Sequence, residues 1–310
     1  MCILQIIIGL ILLFVGSESL IRGSVNIAKR FNISTLVIGL TVVAVGTSTP
    51  ELAININSAL KGSHAIAFGN VVGSNILNVV FVIALAALIY PIKVPSKFSK
   101  LDMSFLLIGN AVVYVIAFFG IIERTAGVLM LVLLVTYLSI IVKNALKYKE
   151  KKEDQMETTC IDIKRSCFFI LFGSVLLAFG GHILTEGAII MAQIIGISEA
   201  VIGVTIVAIG SSAPEMVTTI VASIKKQSDI AIGGIAGSNL FNILGILGIT
   251  AIIKPLEVQS SFLRLDLPFA LATTLMLYFV IRFSKVIDRR IGGIFLCCYF
   301  LYLYLQFILC

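Results

Sequence analysis

The sequence predicts an all-α integral membrane protein with ten transmembrane helices arranged as two inverted five-helix repeats. Three observations predict it. Of the 310 residues, 59% are apolar and 13% charged, and apolar runs of membrane-crossing length follow one another with short polar gaps. Basic residues alternate between crowded and sparse loops along the chain. A 22-residue segment recurs, with its residue types largely preserved, 164 residues further on.

With about 20 residues needed to cross the hydrocarbon, the spans are expected near 3–21, 36–60, 66–90, 102–120, 126–146, 166–193, 200–224, 230–253, 266–282 and 290–308. The first lacks a basic leader and a small-residue cleavage site, so it reads as a retained span rather than a signal peptide. Sorting the intervening loops by side puts nineteen of the 23 Lys and Arg residues on one face, leaving only Lys61, Arg124, Lys254 and Arg264 on the other. By the positive-inside rule this places the 147–165 loop in the cytoplasm and both termini outside the cell membrane. The separation also supports a count of ten, because dropping one span scrambles it. The net charge of +7 therefore reports membrane topology and not nucleic-acid binding. The cysteines, Cys2, Cys160, Cys167, Cys297, Cys298 and Cys310, show no CxxC spacing and read as small apolar residues, not as a metal site or disulfide framework.

The recurring segment is GLTVVAVGTSTPELAININSAL at 39–60 and GVTIVAIGSSAPEMVTTIVASI at 203–224. The same offset carries GNVVGSNILN (69–78) onto GGIAGSNLFN (233–242) and Pro91 onto Pro255. The offset contains five spans, an odd number, so the second copy enters the membrane in the opposite sense. This divides the chain into a first repeat (1–146, motif region 39–91), a charged linker (147–165) and an inverted second repeat (166–310, motif region 203–255). Two halves related in this way can exchange conformations and open a central site to each side in turn.

Each repeat places a Pro-Glu pair in mid-span, at Pro50-Glu51 and Pro214-Glu215. Proline removes a backbone donor and clashes with the preceding turn, so each helix is expected to break at Gly46–Thr49 and Gly210–Ala213. The break releases carbonyls of Ala44, Val45, Ala208 and Ile209. A new half-helix then starts on a Ser or Thr cap, with the acid in its positive first turn. A carboxylate in mid-membrane costs at least roughly 2.5–3.5 kcal/mol, which marks Glu51 and Glu215 as functional. Brought together, the two repel unless positive charge lies between them: one calcium ion, two sodium ions, or protons. Neutral oxygens stand close by in sequence, on Thr47, Ser48, Ser211 and Ser212, and on Ser74, Asn75, Asn78, Ser238, Asn239 and Asn242 of the following spans. Calcium takes about 6–8 oxygens, which this inventory can supply, whereas no His or Cys cluster exists for zinc or copper. Ser74 with Asn78, and Ser238 with Asn242, are i, i+4 neighbours on one helical face. The glycines at 69, 73, 233 and 237 read as helix-packing positions.

With its GTSTPE and GSSAPE segments and paired GSN segments, the chain resembles the calcium/cation antiporter superfamily, particularly its prokaryotic sodium/calcium exchanger branch. The likeness covers both repeats and the ten-span layout. It implies antiport of Na+ against Ca2+ across the cell membrane by alternating access, with no cofactor. It also implies Glu51 and Glu215 as the principal ion ligands. Thr47, Ser48, Ser74 and Asn78 complete the set from the first half, and Ser211, Ser212, Ser238 and Asn242 from the second, with backbone oxygens from Ala44 and Ala208. Proton/calcium antiport by the same glutamates is the alternative. An enzyme is not expected, since the only histidines are His64, read as lying in a loop, and His182. Glu18 and His182, related by the offset, read as polar anchors near the membrane surfaces.

Overall fold

The computed structural model describes residues 2–95, 98, 100–147, 162–196 and 208–309. Most of the linker with Cys160, the first five residues of the second motif region (203–207) and Cys310 lie outside the described residues. The helices are α1 (Cys2–Phe31), α2 (Thr35–Thr47), α3 (Thr49–Leu60), α4 (His64–Ile89), α5 (Lys100–Ala117), α6 (Arg124–Lys147) and α7 (Ile163–Ile194). They continue with α8 (Ala208–Ser211), α9 (Ala213–Ile224), α10 (Ser228–Ile253), α11 (Ser260–Arg264), α12 (Asp266–Phe283) and α13 (Arg289–Leu309).

Among the described residues, seven helical segments are long and apolar enough to cross a membrane. The pair α2 and α3 makes an eighth if counted as one span, bent by 45°. Two shorter apolar helices, Leu101–Ala117 and Ala213–Ile224, fall below that length. The expected span at 36–60 is thus two helices with a break, as proline predicts. His64, read as a loop residue, is instead the first residue of α4, with Nδ1 accepting from the Glu257 N–H at 3.3 Å.

Helices α4 and α10 form the buried centre, and α1, α6, α7 and α13 turn large apolar side chains outward. Long, apolar and outwardly greasy helices around a buried core are what a protein solvated by lipid presents. Helices α1 and α7 pack antiparallel along their length. Each carries glycine at every seventh position, Gly9, Gly16 and Gly23 against Gly173, Gly180 and Gly187, and the two sets obey the 164-residue offset. A Cβ on Gly173 would lie 2.6 Å from the Leu20 nitrogen and 2.7 Å from the Gly16 carbonyl, so only hydrogen lets these backbones approach. The glycine spacing was readable in the sequence and is absent from the motifs singled out above.

Two short antiparallel pairings clasp the halves. Strand β1 (Ile92–Lys93) pairs with β4 (Val286–Ile287), and β2 (Ile121–Ile122) pairs with β3 (Leu256–Glu257). Each also uses a helix start as an anchor, since the Lys93 N–H donates to Ser228 Oγ at 3.3 Å just as that of Glu257 donates to His64. Buried aspartates open α5 and α12 in the same repeated fashion: Tyr137 donates to Asp102 at 3.1 Å, and Tyr302 donates to Asp266 at 2.6 Å.

Candidate functional site

The two helix breaks meet the crossing of α4 and α10 at the buried centre. The first break is at Ser48 (φ −86°, ψ 7°) and the second at Ser212 (φ −92°, ψ 9°), each followed by proline and then by Glu51 or Glu215 in the first turn of a new helix. The placement follows the sequence expectation, but the caps do not. Neither serine bonds its own helix start. Ser48 Oγ instead donates across the repeats to Glu215 Oε1 at 2.9 Å, while Ser212 Oγ has no hydrogen-bond partner. The carbonyls expected to be released are also partly taken. Ala44 O accepts from the Ser48 N–H at 3.0 Å and from Thr47 Oγ1 at 3.2 Å, and Val45 O accepts from Thr49 Oγ1 at 2.7 Å. Thr47 Oγ1 also lies 3.2 Å from Ser238 Oγ, which ties the first break to α10.

Glu51 and Glu215 are fully buried, and their carboxyl groups come within reach of each other. Thr47, Ser48, Ser74, Asn78, Ser211, Ser212, Ser238 and Asn242 are all buried, and the turns that carry Asn78 and Asn242 pack against the half-helices of Glu215 and Glu51. Ala208 opens α8, one turn before the second break. Of the ten buried side-chain polar atoms without a hydrogen bond among the described residues, six belong to residues the sequence singled out: both Glu51 oxygens, Glu215 Oε2, Asn78 Oδ1, Asn242 Oδ1 and Ser212 Oγ. Buried oxygens carry a desolvation cost of about 1–3 kcal/mol each when unmatched, so a cluster of them is poised for positive charge.

Four asparagines bond one another between α4 and α10, an arrangement that the sequence did not single out. Asn75 Nδ2 donates to the Asn239 carbonyl at 2.9 Å, and Asn239 Nδ2 donates to the Asn75 carbonyl at 3.1 Å. Asn78 Nδ2 donates to Asn239 Oδ1 at 3.0 Å, and Asn242 Nδ2 to Asn75 Oδ1 at 3.1 Å. All four bonds come in pairs related by the 164-residue offset. Both helices open into a wide i→i+5 turn here, at Asn78–Val82 and Phe241–Ile246, a local geometry that recurs at functional sites.

A cavity of about 300 Å³ is lined by Pro50, Ile54, His182, Gly210, Ser211 and Pro214 among others. A separate recess of about 10 Å³ touches Thr47, Glu215, Thr218 and Thr219. Glu18 pairs with Lys225, and His182 with Glu186 on its own helix, at 3.3 Å.

The model of a family described as sodium/calcium exchanger protein matches residues 1–143 and 165–308. The chain belongs to the sodium/calcium exchanger family. It is 33% identical to the putative antiporter CaxA of Alkalimonas amylolytica over 97% of both chains. To the sodium/calcium exchanger MaX1 of Methanosarcina acetivorans it is 29% identical over 98% of both. Among solved structures, that of the sodium-calcium exchanger NCX_Mj soaked with zero Na+ and Ca2+ superposes with a TM-score of 0.85 at 29% identity, covering 98% of each chain. The protein is accordingly a multi-pass membrane protein of a transporter family and not of an enzyme family.

Proposed function

We propose that this exchanger carries Na+ against Ca2+ across the cell membrane by alternating access, with Glu51 and Glu215 as the charged ligands of one central site. The observation that carries the reading is six buried, unmatched oxygens, three of them on the two glutamates and three on Asn78, Asn242 and Ser212. Two negative charges and neutral oxygens suit one Ca2+ or two Na+. Thr47, Ser48, Ser74, Ser211 and Ser238 add hydroxyl ligands from both halves, and Ala44 and Ala208 add backbone oxygen. Alternating access is supported by the repeat, because two halves related by inversion can exchange conformations about a central site.

The topology we assign is ten spans in two inverted repeats, 1–146 and 166–310, around a cytoplasmic loop at 147–165, with both termini outside. It is supported by the seven long helices, the bent pair and the two shorter apolar helices, which together make ten segments. The reciprocal hydrogen bonds and the exchanged strand pairings support the pseudo-two-fold relation.

The test is radiolabelled Ca2+ uptake into proteoliposomes loaded with Na+ or with choline at matched pH, repeated under an imposed pH gradient. Uptake that needs internal Na+ is expected. Uptake driven by the pH gradient alone would replace this reading with proton/calcium antiport, for which the adjoining carboxyl groups could share a proton.

A further inference from the structure

We propose that Asn75 and Asn239 are positioning residues: they turn the Asn78 and Asn242 amides so that only oxygen, and never the amide NH2, faces the cation. The inference rests on the cation-site reading above and goes beyond it.

An asparagine side chain has an oxygen end and an NH2 end of nearly equal size, and a cation tolerates only the first. What selects the end is the partner behind it. Here the selection begins at two backbone carbonyls, which can only accept. Because Asn75 faces the Asn239 carbonyl, the end it presents there must be Nδ2, and its Oδ1 is left to face Asn242. Asn242 must then present Nδ2 to that oxygen, which leaves Asn242 Oδ1 without a protein partner. The mirror chain runs from the Asn75 carbonyl through Asn239 to Asn78, and leaves Asn78 Oδ1 unmatched. All four side chains are at least 96% buried, so water does not offer an alternative partner for either end. The backbone thus sets four amide orientations and leaves over two buried oxygens, which the cation-site reading gives to the ion with Glu51 and Glu215. The arrangement also accounts for Asn rather than Asp at both 78 and 242. A carboxylate at either place has no donor for the anchoring oxygen of Asn239 or Asn75, and it would raise the site's charge above that of its two glutamates.

The test uses Asn75→Leu, which removes both polar ends at similar volume. It is made alone and in an Asn242→Ala background. Na+-driven Ca2+ uptake is measured in proteoliposomes across a Ca2+ series, on protein that elutes as wild type by size exclusion. N75L is expected to raise half-saturating Ca2+ about tenfold with little change in maximal rate, as loss of a ligand-orienting partner does. N75L should add nothing once Asn242 is alanine. An unchanged half-saturation in N75L, a fall confined to maximal rate, or a full additional effect in the N242A background would each overturn the proposal in favour of a structural role. Wild-type protein and E51Q are run alongside. If wild type shows no saturable Na+-driven uptake, or E51Q retains it, the cation-site reading itself fails, an outcome separable from any result at Asn75.

Discussion

The two helix breaks, Thr47–Glu51 and Ser211–Glu215, are copies of one motif, yet they sit in different surroundings. At the first, Ser48 donates to the opposite carboxylate. At the second, Ser212 Oγ makes no hydrogen bond among the described residues and the wider cavity comes up to Ser211. The two serines are the same residue at the same place in the motif, so this difference belongs to the conformation. Under the proposed alternating access such a bond would be made at one break and released at the other.

The comparison can be broken most decisively at the acids. Among the described residues Glu51 has no hydrogen bond on either oxygen and Glu215 has one, and the proposed function assigns both to one site. Glu51→Gln and Glu215→Gln are each expected to reduce Ca2+ uptake in proteoliposomes to background while the protein remains folded by size exclusion. Near-normal uptake in either would show that the halves do not share the load.

The glycines give the next effect. A Cβ on Gly237 would lie 2.6 Å from the Leu40 carbonyl. The packing expectation for these glycines therefore holds at 237; the residue that the 164-residue offset sets against Gly73, its counterpart in the first repeat, lies outside the described residues. Gly237→Ala should lower stability by about 1–3 kcal/mol, as read from thermal unfolding in detergent. An unchanged midpoint would contradict the crowding at Gly237.

Ser48 and Ser212 sharpen the gate comparison directly. A cysteine at Ile54, on the wider cavity, can be labelled by an impermeant maleimide in a cysteine-free background. Ser48→Ala removes a bond to a charged group, one that stabilises this conformation by about 1.5 kcal/mol or more, so labelling should slow about tenfold. Ser212→Ala removes no such bond and should leave labelling within about twofold. Identical behaviour of the two variants would erase the asymmetry.

The smallest effect is expected at the paired tyrosines. Tyr302→Phe should cost about 1–2 kcal/mol, and Tyr137→Phe less, because the bond to Asp266 is 2.6 Å and that to Asp102 is 3.1 Å. Thermal midpoints of the two variants check the order.

Much of this was legible beforehand because it is written twice. The 164-residue offset exposes the motifs, the prolines confine both breaks to four-residue windows that hold Ser48 and Ser212, and i, i+4 spacing puts Ser74 with Asn78. The partners across the repeats were not legible. Nothing local to Ser48 says that its hydroxyl serves Glu215 rather than its own helix start, because both acceptors suit it and only the assembled packing chooses. Asn75 and Asn239 likewise look like further oxygen donors until their amides are seen spent on backbone carbonyls. The heptad glycines of α1 and α7 were visible in the sequence but are a packing signal, and attention to charged and polar residues passes over them.

The clasping strands carry a consequence for biosynthesis. Ile92 pairs only with Ile287, and Ile122 only with Leu256, so the surface ties of the first half wait until nearly the whole polypeptide has left the ribosome. Until then Asn75 stands in the bilayer without the Asn239 carbonyl that takes its amide. The nascent first half is therefore an unfinished intermediate with buried donors exposed to lipid. An insertion chaperone that shelters polar groups has something to hold there until the second half arrives.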